Sequence, residues 1–482
     1  MTHDLLPGTR PDALPDARRD LRHDLYTATA ATLLVVTAAL VGRAIERRDD
    51  TLFVRWPPLL ALWHPHIGPG TPAALTVALA VIAYGPVLAV RLPWRSLLLW
   101  VWGAGMAWTW SLALIDGWNR GIARRLTTRA EYLQVIDSFG DIPATLRDFT
   151  QHILIDSPDN WPAHVAGHPP AATLTFVYLD RIGLGGGAWA GVWCITVGTT
   201  AALAILITVR LLTDEHLARR AAPFLVLAPG AVWMGTSADA YFAAVAAWAV
   251  AFLALAVTGH RPPWTGLTSG LLFGLTLYLS YGLTLFALIA AAVLLLAPRR
   301  GAGNCATSHD GAADKRRPIT APPAERYRIR PLPFVLAGFV VVPVVFTALG
   351  FYWWEAYDLL VTRYHEGVGG VRPYGYWVWA NFACTVLVVG LATAAGLRRT
   401  GVALLRRDDR AAVRLGVLVL AALVAMVVAD LSGMSKAETE RIWLPFALWL
   451  LPACAFLRGA RGWLAAQAIV ALLVNHLLLT GW

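Results

Sequence analysis

The sequence predicts an all-α, polytopic helical membrane protein, and three observations carry that reading. First, 57% of the 482 residues are hydrophobic and 15% charged, with a mean hydropathy of +0.56, whereas soluble domains carry about 25% charge. Second, apolar runs recur at roughly 16–22 residues, the length that lets a helix cross about 30 Å of hydrocarbon with its backbone groups paired internally. Third, the positive charge sits in short links between those runs, as topology requires. The net charge of +10 is therefore a membrane-orientation signal, and no nucleic-acid partner is expected. Four cysteines (Cys194, Cys305, Cys384, Cys454) lack the paired spacing of a metal site or a disulfide framework.

In chain order, residues 1–24 mix arginines with acids and form an N-terminal tail. The first apolar run starts too late for a cleaved signal peptide and ends without a small-x-small pattern, so it reads as an uncleaved span. Residues 25–115 hold the first three spans. Between the first two, "RAIERRDDTLFVRWPPLLALWHPHIGPGTP" carries prolines and glycines that forbid a continuous helix. Residues 116–184 form the one long polar segment between spans. It closes with "PPAATLTFVYLDRIGL", at roughly fifteen residues too short for a full crossing and so re-entrant or interfacial. Residues 185–297 and 332–482 form two further bundles, joined by an aperiodic Gly, Pro, Ala and Arg-rich linker at 298–331. The total is about thirteen transmembrane helices.

Topology follows from parity. If the short helix does not cross, the links holding Arg91/Arg95, Arg210/Arg219/Arg220, Arg261, Arg299 to Arg330, Arg398 to Arg414 and Arg458/Arg461 all fall on the cytoplasmic side; the exception is Arg43/Arg47/Arg48 after the first span, placed outside but mixed with Glu46, Asp49 and Asp50. If it crosses, every later link faces outward. The first arrangement is expected, with the N-terminus cytoplasmic in a multi-pass plasma-membrane protein. The long loop then shares an extracytoplasmic face with "WPPLLALWHPHIGPG", "YWWEAYDLLVTRYHEGVGGVRPYGYW" and "DLSGMSKAETERIW".

That face holds the residues suited to chemistry. Asp116 ends a span, where partial desolvation makes a carboxylate a better base for a hydroxyl proton; the bland reading is a helix-end acid reaching water. Asp137 and Asp156 are further loop acids. Arg363, Arg372, Lys436 and Arg441 are cations for a lipid phosphate, since guanidinium pairs bidentately with its oxygens, or are interfacial anchors. His168 opens the short helix, where an anion is favoured. Trp118, Trp161 and Tyr374 stack on sugar rings or belong to the aromatic belt. Asp116, His164 and His168 are the candidate ligands for a divalent metal ion, although Pro162, Pro169 and Pro170 argue against one regular helix through both histidines. Asp239, after Ser237, is expected to cap the next helix. Phosphate-loop, dinucleotide and H-E-x-x-H patterns are absent.

"LIDGWNRG" with Asp116, "AGHPPAATLTFVYLDRIGLGGGAWAG", "APGAVWMGTSADAYFAAVAAW" and "SKAETERIWLPFALWLLP" resemble the GT-C superfamily of integral-membrane glycosyltransferases, in its actinobacterial members. Three spans, not one, precede the acidic loop, and Gly117 stands where a second acid is usual. The resemblance implies a glycosyltransferase that moves a hexosyl or pentosyl unit from a polyprenyl-phosphate-linked sugar donor to an extracytoplasmic acceptor of the cell envelope, with inversion. The loop acid acts on the acceptor hydroxyl. The alternative is a transporter or flippase of a lipid-linked sugar; those proteins place ionisable groups near the bilayer midplane within repeated halves, a pattern this sequence lacks.

Overall fold

The computed structural model describes residues 13–297, 330–407 and 409–481. The linker expected at 298–331, except Arg330 and Pro331, lies outside them, as do Cys305 and the first half of the expected N-terminal tail. The described residues are mostly helical, in chain order α1 Ala13–Asp49, α2 Thr71–Arg91, α3 Trp94–Ala113, α4 Ile142–Asp148, α5 Ala163–Ala166, α6 Ala171–Arg181, α7 Gly186–Gly198, α8 Ala201–Leu212 and α9 Glu215–Val226. Then follow α10 Ala231–Met234, α11 Ala238–Val257, α12 Pro262–Leu279, α13 Phe286–Leu296, α14 Leu332–Ala348, α15 Trp353–Glu366 and α16 Val368–Val371. The last are α17 Tyr374–Arg406, α18 Arg410–Leu431, α19 Thr439–Ile442, α20 Leu444–Ala447 and α21 Ala460–Leu477. Seven helical segments among the described residues are long and apolar enough to cross a bilayer, or eight if α14 and α15, bent by 75°, count as one.

Contacts at the helix ends sort the chain between two faces. On one face arginines clamp backbone carbonyls: Arg219 donates to the carbonyls of Ala89 and Leu92, Arg220 to Leu457, and Arg414 to Leu212 and Leu296. Each cation thereby satisfies carbonyls left over at a helix C-terminus and meets the negative end of its dipole. At the other end of α2 and α3, Thr71 bonds His476 and Asp116 bonds His66. The seven span candidates among the described residues are α1, α2, α3, α7–α8, α11, α17 and α18. α6 is not among them. Its C-terminal Arg181 donates to the carbonyls of Phe139 and Gly140 in the long loop, and α7 starts against Ala123 of the same loop. Both ends of α6 lie on one face, as its shortness predicts.

Two details depart from a plain bundle. The proline-rich segment after α1 cannot be helical, and its strand β1 Ala61–Trp63 pairs antiparallel with β2 Leu478–Thr480 at the end of the chain. A two-stranded ribbon thus sits in an otherwise all-α fold. α1 also reaches back through the expected polar tail, because Asp24, 0% exposed, meets Arg398 at 2.9 Å and Arg399 at 2.8 Å on α17. α12 and α14 approach closely enough that a Cβ on Gly270 would strike the Val335 carbonyl and one on Gly338 that of Leu267, the small-residue packing that membrane helices use in place of a hydrophobic drive.

Removing one partner of a buried ion pair leaves an uncompensated charge, at about 3–5 kcal/mol. Asp24→Ala is therefore expected to lower the thermal midpoint of the detergent-solubilised protein sharply, and Asp20→Ala, more exposed, to change it little.

Candidate active site

The end of α3 fixes the position of Asp116. A 3-10 turn, Leu114–Asp116, tightens the last turn, and Gly117 at φ 76° redirects the chain into a π turn, Asn119–Ala123. There Gly121 lies so near α3 that a Cβ would strike the Ala113 carbonyl, while its own carbonyl accepts from Thr236 Oγ1 at 2.8 Å. The Asp116 side chain is 6% exposed. Its Oδ1 meets His66 Nε2 at 2.8 Å; its Oδ2 accepts from Arg125 Nη2 at 2.8 Å and lies 3.4 Å from Arg120 Nε. His66 Nδ1 faces the His64 carbonyl at 2.8 Å. A carbonyl only accepts, so Nδ1 bears a proton, and the bond to Asp116 needs a second one shared between ring and carboxylate.

A cavity of about 1020 Å³ opens beside this carboxylate, with Trp118, Arg120, Arg124, Arg125 and Thr480 on its walls. Trp118 stacks on Trp110 at 6.3 Å and remains half exposed. Arg120 and Arg125 donate to the Thr480 carbonyl at 3.4 and 3.1 Å, closing the cavity with the end of the chain. Burial pulls the Arg125 guanidinium down to about 10, against the opposing pull of Asp116. Arg124 is exposed, and its guanidinium has no ion pair among the described residues.

Behind Arg125 lies a buried second cluster. Arg441, 6% exposed, donates to Asp239 at 2.9 Å, to Glu438 at 3.0 Å and to His164 Nε2 at 2.9 Å. Guanidinium only donates, so Nε2 accepts and Nδ1–H points at Glu131, 3.0 Å away. Burial pushes Glu438 up, but Arg441 and Arg372 more than reverse this and hold it below the usual carboxylate range. A void of about 10 Å³ remains between Glu131, Asp239 and Arg441, about one water's worth.

The other residues expected at the site fall as follows. Arg363 donates to the carbonyls of Ile153 and Trp161. Arg372 donates to those of Leu52 at 3.1 Å and Lys436 at 2.7 Å, and Lys436 Nζ to that of Gly369 at 2.9 Å. With Arg441 enclosed as described, all four cations hold the protein's own groups. Trp161 is buried on Phe139 and Phe149, and Tyr374 is exposed at the start of α17. Asp137 and Asp156 are exposed on the loop, off the walls of the large cavity. Asp239 is paired with Arg441, and it is Ser237 whose Oγ caps α11, accepting from the Asp239 amide at 3.2 Å.

Among the described residues no three His, Cys, Asp or Glu side chains are grouped to hold a metal ion. His164 is turned to Glu131 and Arg441, and Asp116 to two guanidinium groups, which are poor neighbours for a cation. The donor set does not fit a divalent metal. Sequence reasoning passed over Arg120, Arg124, Arg125 and Glu131. The first three were signalled by "NRGIARR" directly after the carboxylate; Glu131, in "TTRAEYLQ", carried no signal of burial.

No protein-family model and no curated protein matches this chain. Among solved structures it is similar to the oligosaccharyltransferase of Archaeoglobus fulgidus in complex with Zn and sulfate, at 14% identity and a TM-score of 0.43, over 76% of this chain and 53% of that one. It is also similar to archaeal oligosaccharyltransferase AglB from the same organism with an inhibitory peptide and a dolichol-phosphate, at 14% identity and a TM-score of 0.42, over 75% and 50%. The chain spans about half the length of these proteins. The chain is an all-α, multi-pass membrane protein, and the reading of its activity rests on its own residues.

His168 gives a pH prediction. It lies between the rings of Tyr132 and Phe242, at 5.7 and 5.6 Å, and burial lowers it to about 4. The unfolded chain takes up this proton near 6.5 and the folded one only near 4. The contribution to stability is thus complete above about pH 6.5 and lost as pH falls toward 4, on the order of 3 kcal/mol. Chemical denaturation in detergent is expected to show this acid slope, and His168→Phe to flatten it.

Proposed function

We propose that the chain is a membrane glycosyltransferase of the GT-C type, acting at the extracytoplasmic face of the plasma membrane with its N-terminus in the cytoplasm. It transfers a sugar from a polyprenyl-phosphate donor to an extracytoplasmic acceptor. The observation that carries this reading is the large cavity at the end of α3, where one carboxylate, exposed guanidinium groups and an open indole meet. The orientation follows from the arginine clamps at the opposite ends of the helices, which the positive-inside rule assigns to the cytoplasm. Sugar nucleotides are cytoplasmic, so an outward site calls for a lipid-borne donor.

In this reading the donor phosphate lies against Arg120 and Arg124, and the sugar against Trp118. The acceptor hydroxyl oxygen forms a bond to the anomeric carbon as the bond from that carbon to the phosphate oxygen breaks. The electron pair leaves with the phosphate, whose charge the guanidinium groups balance, and the hydroxyl proton passes to Asp116. A single displacement inverts the anomeric centre. His66 and Arg125 hold the carboxylate in place. The cations expected earlier to bind phosphate (Arg363, Arg372, Lys436, Arg441, with His168) act as the frame, and Asp137 and Asp156 stand away from the chemistry.

The test is transfer from labelled polyprenyl-phosphate sugars by the purified protein. Asp116→Asn is expected to lower turnover on the order of 100-fold or more while donor binding persists. Arg124→Ala is expected to raise the donor KM about tenfold with kcat less affected. Transfer that survives Asp116→Asn would remove this acid as the base.

A further inference from the structure

A second cavity, of about 530 Å³, shares Arg55, Leu62 and Leu479 with the first. The last turns of α1 and strand β1 form its walls. Three aromatic and cationic groups are layered there. The Arg43 guanidinium lies 3.6 Å from the centroid of Trp56, and Trp56 stacks on Trp63 at 4.8 Å with an interplanar angle of 26°. Trp63 is 52% exposed, so the stack ends in an indole open to the cavity. An aromatic belt accounts for tryptophans on spanning helices; Trp63 sits on the ribbon, held by pairing with Leu478.

The rim is charged. Glu46 is fixed by accepting from the Leu52 amide at 2.9 Å. Arg47 and Arg55 are exposed, and neither has an ion pair or hydrogen bond from its side chain among the described residues. With Arg43, three cations face one carboxylate across the cavity.

We propose that this cavity is the acceptor subsite and that it takes an acidic saccharide. The apolar C–H face of a pyranose packs on the open indole of Trp63, and a carboxylate on the sugar is held by Arg47 and Arg55. A flat apolar face beside a charged edge is the chemistry of a uronic acid ring. A lipid phosphate matches the cations but has no use for the stack. Because Arg55 and Leu62 belong to both cavities, a saccharide seated here presents its end toward the Asp116 carboxylate. The assignment of this ligand as acceptor rests on the glycosyl-transfer reading; the saccharide site itself does not.

The test uses the full chain in detergent, with trigalacturonate as the acidic probe and maltotriose as its neutral counterpart, read by calorimetry and saturation-transfer NMR. Trigalacturonate is expected to bind about tenfold more tightly than maltotriose. Trp63→Ala should weaken it about tenfold, and Trp63→Phe, which keeps an aromatic face, much less. Replacing both Arg47 and Arg55 by Ala should bring it to the level of the neutral probe. Undecaprenyl phosphate binding should be unchanged in Trp63→Ala, which also reports that this variant is folded. The proposal is overturned if trigalacturonate does not bind, if maltotriose binds equally well, or if the arginines matter and Trp63 does not, the signature of a lipid-phosphate site. Binding as expected with no donor consumed would sink the transfer reading and leave the saccharide site standing.

Discussion

The Arg441 guanidinium, sealed under the long loop, is the constraint on which the site depends. A buried cation is costly unless its hydrogen bonds and its charge are both met, and three different elements meet them: Asp239 at the start of α11, Glu438 ahead of α19, and His164 of the loop. None of the three can leave without stranding the charge. Glu131 extends the chain of partners through His164. The long loop is therefore pinned to the bundle through the hydrogen bond from Arg441 to His164, beside the ion pairs of Arg441 with Asp239 and Glu438.

This division of labour explains which charges are left for a ligand. Asp116, Asp239 and Glu438 are each taken up by an interior arginine and Glu131 by the Nδ1–H of His164, while Arg47, Arg55 and Arg124 face the cavities without an acid partner. The inner shell is close to balanced and the open space beside it is positive. Such a wall attracts an anion without having to release its own salt bridges, so binding does not loosen the frame. The carbonyl clamps of Arg363 and Arg372 serve the same end. They satisfy backbone oxygens in irregular loop segments that no helix or sheet pairs.

The fold was largely legible in the sequence, because crossing a bilayer imposes length and composition, which are local properties. The apolar span candidates and the shortness of α6 could be read from the lengths of the apolar runs. The ribbon between β1 and β2 could not, since its two strands lie at opposite ends of the chain. Asp116 was legible as a carboxylate ending a span. The roles of the arginines were not. An arginine that clamps two carbonyls and one that lines an open cavity have the same side chain, and what separates Arg363 from Arg124 is whether unpaired carbonyls lie within reach. Glu131 shows the reverse case: in sequence it looks like a solvated loop acid, and only tertiary packing buries it against His164.

One short helix bears on how the two ends of the bundle are sorted. Had α6 been long enough to cross, the clamps of Arg219, Arg220 and Arg414 and the Asp116 cavity would no longer sort cleanly onto opposite faces. Eleven residues of helix span about 16 Å at 1.5 Å per residue, half of what a crossing needs, and Arg181 spends its guanidinium on Phe139 and Gly140 at the same face. The shortness of α6 and the positive-inside bias are independent facts, one geometric and one electrostatic. In the structure the carboxylate, the exposed arginines and the open tryptophans lie together at the helix ends away from the clamps, so both facts bear on the same end of the bundle.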